Sequence, residues 1–163
     1  MSDQIELRLL GTGHVDAVQL ALYLAVSWSN PPEIPDLATA IAHPEVAMYH
    51  QGWGRRGDLG VGAFIGDELV GASFARLFTE DSHGHGYVDA ETPEVGIGIV
   101  KDHRGQGIGR RLMRRLAHVA RAEGVRRLSL SVINPNPAKR LYVSLGYTLV
   151  EDDGESSTMV LEL

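Results

Sequence analysis

Cysteine is absent from the 163-residue sequence. This absence excludes disulfide bonds, a metal site built from thiolates and a cysteine nucleophile. Because a thioester on the protein needs a cysteine thiol, a reaction that passes through such an intermediate is excluded as well.

Long apolar runs are also missing. The longest, residues 18–26, is too short to cross a bilayer, which takes about 20 apolar residues as a helix, and it is interrupted by Tyr23. The first residues, MSDQIE, lack the basic stretch that begins a secretion signal. The sequence therefore predicts a cytoplasmic protein with no membrane partner, and its length predicts a single domain over residues 1–163.

Charge of one sign is concentrated in one stretch, although the net charge is only −6. Residues 101–127 carry nine basic side chains and two acidic ones, so the remainder of the chain is strongly acidic. A local basic patch suits a polyanionic small ligand. The acidic remainder argues against nucleic acid as the main partner.

Glycines cluster inside this basic stretch, in the sequence KDHRGQGIGRRLM of residues 101–113. Before it, residues 94–100 alternate apolar and small side chains as a strand does. After it, Ile108, Leu112 and Leu116 recur at helical spacing. The first N–H groups of a helix that follows such a loop are unpaired, and glycines let an anion approach them. The segment predicts a phosphate or pyrophosphate site.

Two common phosphate loops do not fit the spacing. A Walker loop ends in Gly-Lys-Ser or Gly-Lys-Thr, whereas Gly109 is followed by Arg110 and Arg111. A dinucleotide loop reads G-x-G-x-x-G and has an acidic residue about 20 positions later. Here the loop reads G-x-G-x-G, and the next acidic residue is Glu123.

The loop instead resembles the Arg-x-x-Gly-x-Gly signature of the GNAT superfamily of acyl-CoA-dependent N-acetyltransferases, written here as Arg104-x-x-Gly107-x-Gly109. A second segment, residues 136–147, reads NPAKRLYVSLGY and resembles the family's Asn…Ala…Leu-Tyr…Gly-aromatic segment. The resemblance covers residues 58–150 clearly. It implies an α/β fold with a mixed, mostly antiparallel sheet of six to seven strands, flanked by about four helices.

The spacing of apolar residues and the positions of turn residues predict the strands and helices. Strands are predicted at residues 5–10, 59–65, 69–77, 94–100, 127–133, 147–150 and 158–161. Helices are predicted at residues 14–29, 36–42, from Ile108 onward, and at 137–145. Asp36 is the expected N-cap of the second helix.

The resemblance implies transfer of an acetyl group from acetyl-CoA to a primary amine of a small molecule or peptide, by direct attack in a ternary complex. No metal is expected, and a homodimer is possible. The alternative function is a non-catalytic acyl-CoA-binding module on the same fold. The implied cofactor contacts are Ile97, Gly98, Ile99, Arg104, Gly105, Gln106, Gly107, Ile108, Gly109 and Asn136. Asn134 is the alternative to Asn136.

Two residues are the predicted catalytic groups. Tyr142 matches the family tyrosine that faces the sulfur, and a phenol pKa of ~10 against ~8.5 for a thiol suits a general acid. Glu94, on the strand that leads to the loop, is the predicted base, acting directly or through water, with His103 as the alternative.

Several further residues have two open interpretations. Trp28, Tyr49 and Trp53 are candidates for the acceptor wall, although core packing is the alternative for each. Residues 83–85 contain two histidines but no third ligand at a metal-site spacing, which favours a solvated loop. Gly96 predicts, together with Gly98, either close approach of another chain or a bulge in the strand.

Overall fold

The structure, a computed structural model, describes residues 4–28 and 33–163. Its strands are β1 (Ile5–Leu9), β2 (Leu59–Ile65), β3 (Glu68–Arg76), β4 (Glu94–Ile99), β5 (Arg127–Ile133), β6 (Thr148–Asp152) and β7 (Ser156–Glu162). Its helices are α1 (Val15–Val26), α2 (Leu37–Ala42), α3 (Pro44–Ala47), α4 (Ile108–Ala122) and α5 (Ala138–Ser144), with a 3₁₀ turn at Lys101–His103.

The strands form one seven-stranded sheet in the order β1-β2-β3-β4-β5-β7-β6. Every neighbouring pair is antiparallel except β4 and β5, which are parallel. The predicted α/β fold with a mixed, mostly antiparallel sheet is therefore confirmed. A parallel pair needs a crossover connection, and α4 supplies it.

Helix boundaries follow the local chemistry. Asp36 caps α2 as predicted, because its side chain accepts a hydrogen bond from the Thr39 amide at 2.8 Å. The predicted end of the first helix at Ser29 lies outside the described residues, and α1 already ends at Val26. The short helix α3 was not predicted, although Pro44 at its first position is a helix-start signal.

Two apolar clusters cover the two faces of the sheet. The α4-side cluster contains the buried stripe of α4, namely Ile108, Leu112, Met113, Leu116 and Ala120, together with residues of β2, β4, β5, β7 and α5. The α1-side cluster contains Ala17, Val18, Ala21, Leu22, Ala72 and Phe74. Side chains on a strand alternate between these faces, so each residue of β4 belongs to one side or the other.

The glycines of β4 serve packing inside the protein. The β3–β4 register runs without a shift from Gly71–Ile99 to Arg76–Glu94, so β4 pairs with β3 without a bulge, which was one of the two alternatives. A Cβ at Gly96 would overlap the Phe74 ring, and one at Gly98 would meet the backbone of Ala21 in α1. Both glycines therefore let the α1-side cluster pack closely on the strand.

Within the described residues, no helix is long and apolar enough to cross a membrane.

Candidate active site

The sheet opens between β4 and β5. These strands share a single register pair, Glu94 with Ser129, whereas β4 pairs with β3 over its whole length. Beyond Glu94, the edge of β4 that faces β5 makes no ladder with that strand. Neighbouring strand residues point their N–H and C=O groups to opposite edges, and the Val100 amide bonds to the Val70 carbonyl of β3. In the unshifted register Gly98 also faces β3, so Ile97 and Ile99 present backbone groups at the opening and Gly98 does not.

Two glycines of the loop between β4 and α4 have a backbone conformation that favours glycine. Gly105 and Gly107 have φ values of +76° and +80°, in the left-handed region that favours glycine. A Cβ at either residue would have no atom within 4 Å, so the space next to both is open. Gly109 is helical, and a Cβ there would lie 3.3 Å from the Leu141 side chain.

The amides of residues 105–110 have no hydrogen-bond acceptor within the described chain. The first bond of α4 runs from the Arg111 amide to the Gly107 carbonyl at 3.2 Å, and no side chain caps the helix. Consecutive unpaired N–H groups at a helix N-terminus, next to open space, suit a phosphate or pyrophosphate group.

The arginines around the loop have separate contacts. Arg104 is exposed, and its Nε donates to the Ile99 carbonyl at 3.0 Å, which ties the loop to the end of β4. Arg110 donates to the Ser144 hydroxyl at 2.9 Å, and Arg111 donates to the Ile5 carbonyl at 3.2 Å. The positive charge of Arg104 consequently remains beside the unpaired amides.

Glu94 is buried on the α1 side of the opening, with 3% of its surface exposed. The Tyr49 hydroxyl donates a hydrogen bond to Oε2, and a Cβ at Gly86 would lie 3.0 Å from the carboxyl carbon. Oε1 has no partner among the described residues. Burial raises the pKa of Glu94, while the hydrogen bond from Tyr49 and the nearby Gly86 amide partly oppose that rise.

A glycine-rich loop, residues 83–87, covers Glu94. A Cβ at Gly84 would overlap the Tyr49 hydroxyl, and one at Gly86 would lie 2.8 Å from the backbone of β5. His83 stacks on Tyr87 with ring centroids 4.2 Å apart. The two histidines are exposed, and the described part of the chain contains no group of three metal-ligating residues.

Tyr142 lies on the opposite face, in the α4-side cluster, with 7% of its surface exposed. Its ring lies 6.0 Å from that of Tyr147. Burial raises the pKa of Tyr142 to about 12, so the phenol is protonated at neutral pH. The two predicted catalytic residues, Tyr142 and Glu94, thus come from opposite sides of the sheet.

The two candidate asparagines, Asn134 and Asn136, differ in how many hydrogen bonds their side chains already make. Asn134 accepts bonds from Lys139 at 3.1 Å and from Ser157 at 2.5 Å, and it donates to Asp152. Asn136 accepts only from the Ala138 amide, at 2.9 Å, where α5 begins. The side-chain nitrogen of Asn136 has no acceptor in the described chain, which keeps Asn136 as the better candidate for a ligand contact.

The aromatic candidates for the acceptor wall occupy different places. Tyr49 packs edge-on against Phe78, with ring centroids 5.2 Å apart, and reaches Glu94. Trp53 donates to the Gly11 carbonyl and packs against the α1-side cluster. Trp28 is half-buried after α1, and the alternative base His103 is half-buried in the 3₁₀ turn. Sequence reasoning missed the contact between Tyr49 and Glu94, because 45 residues separate them.

The sequence matches one family profile, described as the Acetyltransferase (GNAT) family, over residues 24–147. The chain belongs to this family. It is therefore an acyl-CoA-dependent acetyltransferase by family, as its loop and its second motif predicted. No curated protein matches the sequence significantly.

Solved structures of acetyltransferases share the fold over nearly the whole chain. An acetyltransferase from Thermus thermophilus is 26% identical, with a TM-score of 0.68 and coverage of 98% of this chain and 97% of that one. The PaiA N-acetyltransferase from Thermoplasma acidophilum, in complex with coenzyme A, is 15% identical, with a TM-score of 0.72 and coverage of 98% and 99%. YncA from Salmonella typhimurium, with acetyl-CoA, is 20% identical, with a TM-score of 0.70 and coverage of 98% and 94%.

Proposed function

We propose that this GNAT protein transfers the acetyl group of acetyl-CoA to a primary amine of a small molecule or peptide, by direct attack in a ternary complex. The observation that carries the proposal is the row of unpaired amides at residues 105–110, beside the unpaired edge of β4. The absence of cysteine supports direct attack, because no thiol is available to carry the acetyl group.

The loop fits the pyrophosphate of coenzyme A. Residues 105–110 offer consecutive N–H donors, and the left-handed glycines leave the space in front of them open. Arg104 adds a full positive charge, and the backbone of Ile97 and the amide of Ile99 offer partners for the amide groups of the pantetheine arm. The side-chain nitrogen of Asn136 is a further donor.

Acetyl-CoA, when bound, supplies the thioester that the amine attacks. Glu94 is the proposed base, because a carboxylate with a raised pKa is a better acceptor for the proton of an ammonium group. Tyr142 is the proposed acid, because its phenol keeps its proton at neutral pH and can donate it to a departing thiolate. Their positions on opposite faces of the opening suit these separate tasks.

The acceptor is proposed to approach from the α1 side, where Glu94 and Tyr49 lie. The basic residues cluster around the loop, whereas the rest of the chain is acidic. This distribution favours a cationic amine over an acidic one.

Calorimetric titration with acetyl-CoA and with coenzyme A, followed by a thiol-release assay over polyamines, aminoglycosides and lysine peptides, tests the proposal. We expect micromolar binding of both ligands and release of thiol with at least one amine. Binding without thiol release for any amine would favour the non-catalytic acyl-CoA-binding module. Absence of binding would remove the assignment of residues 104–109.

A further inference from the structure

The two oxygens of the Glu94 carboxylate have different surroundings. Oε2 accepts the hydrogen bond from Tyr49, whereas Oε1 is buried without a partner among the described residues. A buried carboxylate oxygen without a partner costs free energy. An asymmetric carboxylate of this kind has one oxygen engaged and one available to a proton donor.

Tyr49 is itself held in place from several sides. Arg76 donates to the carbonyls of Met48 and Gln51, at 3.1 and 2.7 Å, and so fixes the turn that carries Tyr49. Arg76 in turn binds Asp58 through two hydrogen bonds, and the side chains of this ion pair are 0% and 2% exposed. The position of the Tyr49 hydroxyl is therefore set by the protein before any acceptor binds.

The unpartnered oxygen lies under the covering loop, because a Cβ at Gly84 would be 2.8 Å from Oε1. Ser129 faces Glu94 across the single β4–β5 pair, so the two side chains share one face of the sheet, on strands about 4.8 Å apart. The Ser129 hydroxyl is the other buried side-chain polar atom without a partner in the described part of the chain. The two residues that carry buried unpartnered atoms, Glu94 and Ser129, are therefore neighbours at the point where β4 and β5 separate.

We propose that Tyr49 is a positioning residue: its hydroxyl holds Oε2 of Glu94 and leaves the unpartnered Oε1 to receive the proton of the acceptor amine. The inference rests on the proposed function. In the step, an N–H bond of the ammonium group breaks and an O–H bond forms at Oε1, directly or through one water. The nitrogen keeps the electron pair and can attack the thioester.

Other charged and titratable groups lie near Glu94 and Tyr49 and influence their pKa values. His83 and His85 approach it from the covering loop, and both lower its pKa when charged. Glu45 acts on Tyr49 from α3. Arg76 is the strand neighbour of Glu94 on β3, and its charge is already paired with Asp58.

The substitution Tyr49→Phe removes the donor and keeps the ring, which packs against Phe74 and Phe78. Because the Tyr49 bond lowers the pKa of Glu94, its loss moves the acid limb of the kcat profile to higher pH. We expect kcat to fall by about tenfold to a hundredfold. A purely structural role would lower kcat without moving the limb.

A second readout needs no acetyl-CoA. Titration of the ¹³C carboxyl signal of Glu94, assigned by its loss in Glu94→Gln, follows the same group in the free protein. We expect the midpoint to lie at higher pH in Tyr49→Phe than in the wild type. The matched control is Tyr23→Phe, which removes a hydroxyl bonded to the Pro35 carbonyl and leaves Glu94 untouched.

A double-mutant cycle completes the test. If Tyr49 acts through Glu94, then Tyr49→Phe causes no further loss of kcat in the Glu94→Gln background. An unmoved acid limb, an unmoved ¹³C midpoint or fully additive losses would each overturn the positioning role. Failure of the proposed function is a different result, namely a wild-type protein that releases no thiol with any amine.

Discussion

Glu94 and Ser129 form the single register pair between β4 and β5, at the point where the sheet opens. Both residues are polar and buried, with 3% and 0% of their surfaces exposed, and Arg76 of β3 is the neighbour of Glu94 on the same face. Isolated buried polar atoms are costly, so their presence at this point marks a site with a task other than packing. The proposed base therefore lies at the apex of the opening between β4 and β5, where acetyl-CoA is proposed to bind.

Replacement of Glu94 by Gln is expected to stabilise the protein in a pH-dependent way. The pKa of Glu94 is higher in the folded state than its unfolded value of 4.5. The stability that the neutral Glu94 carboxyl contributes to the wild type is therefore complete below pH 4.5. It is lost as pH rises through the folded pKa and the buried group becomes charged. The Tm of Glu94→Gln relative to the wild type should therefore increase from pH 4 to pH 8, as measured by thermal unfolding.

Glu91→Gln is the control for this measurement, because Glu91 is an exposed carboxylate of the same segment. Its Tm difference from the wild type is expected to stay flat over the same pH range. A flat difference for Glu94→Gln as well would show that burial does not penalise the Glu94 carboxylate.

Much of the fold was predictable because its signals are local. One short stretch contains the alternation of residues 94–100, the glycines of the loop and the apolar stripe of α4. The order strand, loop and helix predicts where the phosphate site lies. The environment of Glu94 depends instead on chain segments far apart in sequence. Tyr49 and Gly86 meet the carboxylate only in the folded sheet, and periodicity carries no information on such contacts.

The glycines illustrate the same limit. Gly105 and Gly107 were predicted to let an anion approach the helix N–H groups, and the space beside both is open. Their positive φ values come from the structure. Gly96 was predicted to open the strand or admit another chain, but it makes room for Phe74, a residue on the neighbouring strand. Sequence shows that a position lacks a side chain, whereas only the fold shows which neighbour fills the space.

Tyr142→Phe is expected to lower kcat by about a hundredfold or more, with little change in the KM for acetyl-CoA. The phenol, with a pKa of about 12, is protonated at neutral pH, and phenylalanine cannot donate that proton. Steady-state kinetics with the best amine measures the effect. Tyr147→Phe is the matched control, because it is a buried tyrosine 6.0 Å away, and its kcat should be unchanged. Equal kcat in Tyr142→Phe and the wild type would remove the general-acid role.

Gly107→Ala is expected to weaken coenzyme A binding about tenfold. A left-handed alanine costs about 1–2 kcal/mol, and a loop that relaxes to avoid this cost turns its amides away from the ligand. Calorimetric titration measures the Kd. Gly66→Ala is the control, because Gly66 has φ +60° in the β2–β3 turn and the same open surroundings. Gly66→Ala should destabilise the fold similarly and leave the Kd unchanged. Equal Kd values for both variants would contradict a pyrophosphate site at the amides of residues 105–110.

Asp58→Ala is expected to destabilise the protein by about 3–5 kcal/mol, because it leaves the buried guanidinium of Arg76 without its counter-charge. The same change should lower kcat, since Arg76 fixes the turn of Tyr49 through the carbonyls of Met48 and Gln51. Urea unfolding with linear extrapolation measures the loss. The control is Glu6→Ala, which breaks the exposed ion pair with Arg8 and should leave the unfolding midpoint unchanged, because exposed pairs contribute little. Similar losses of unfolding free energy in both variants would mean that burial adds nothing to the Arg76–Asp58 pair. The turn that carries Tyr49 would then lack the support that the contact between Tyr49 and Glu94 requires.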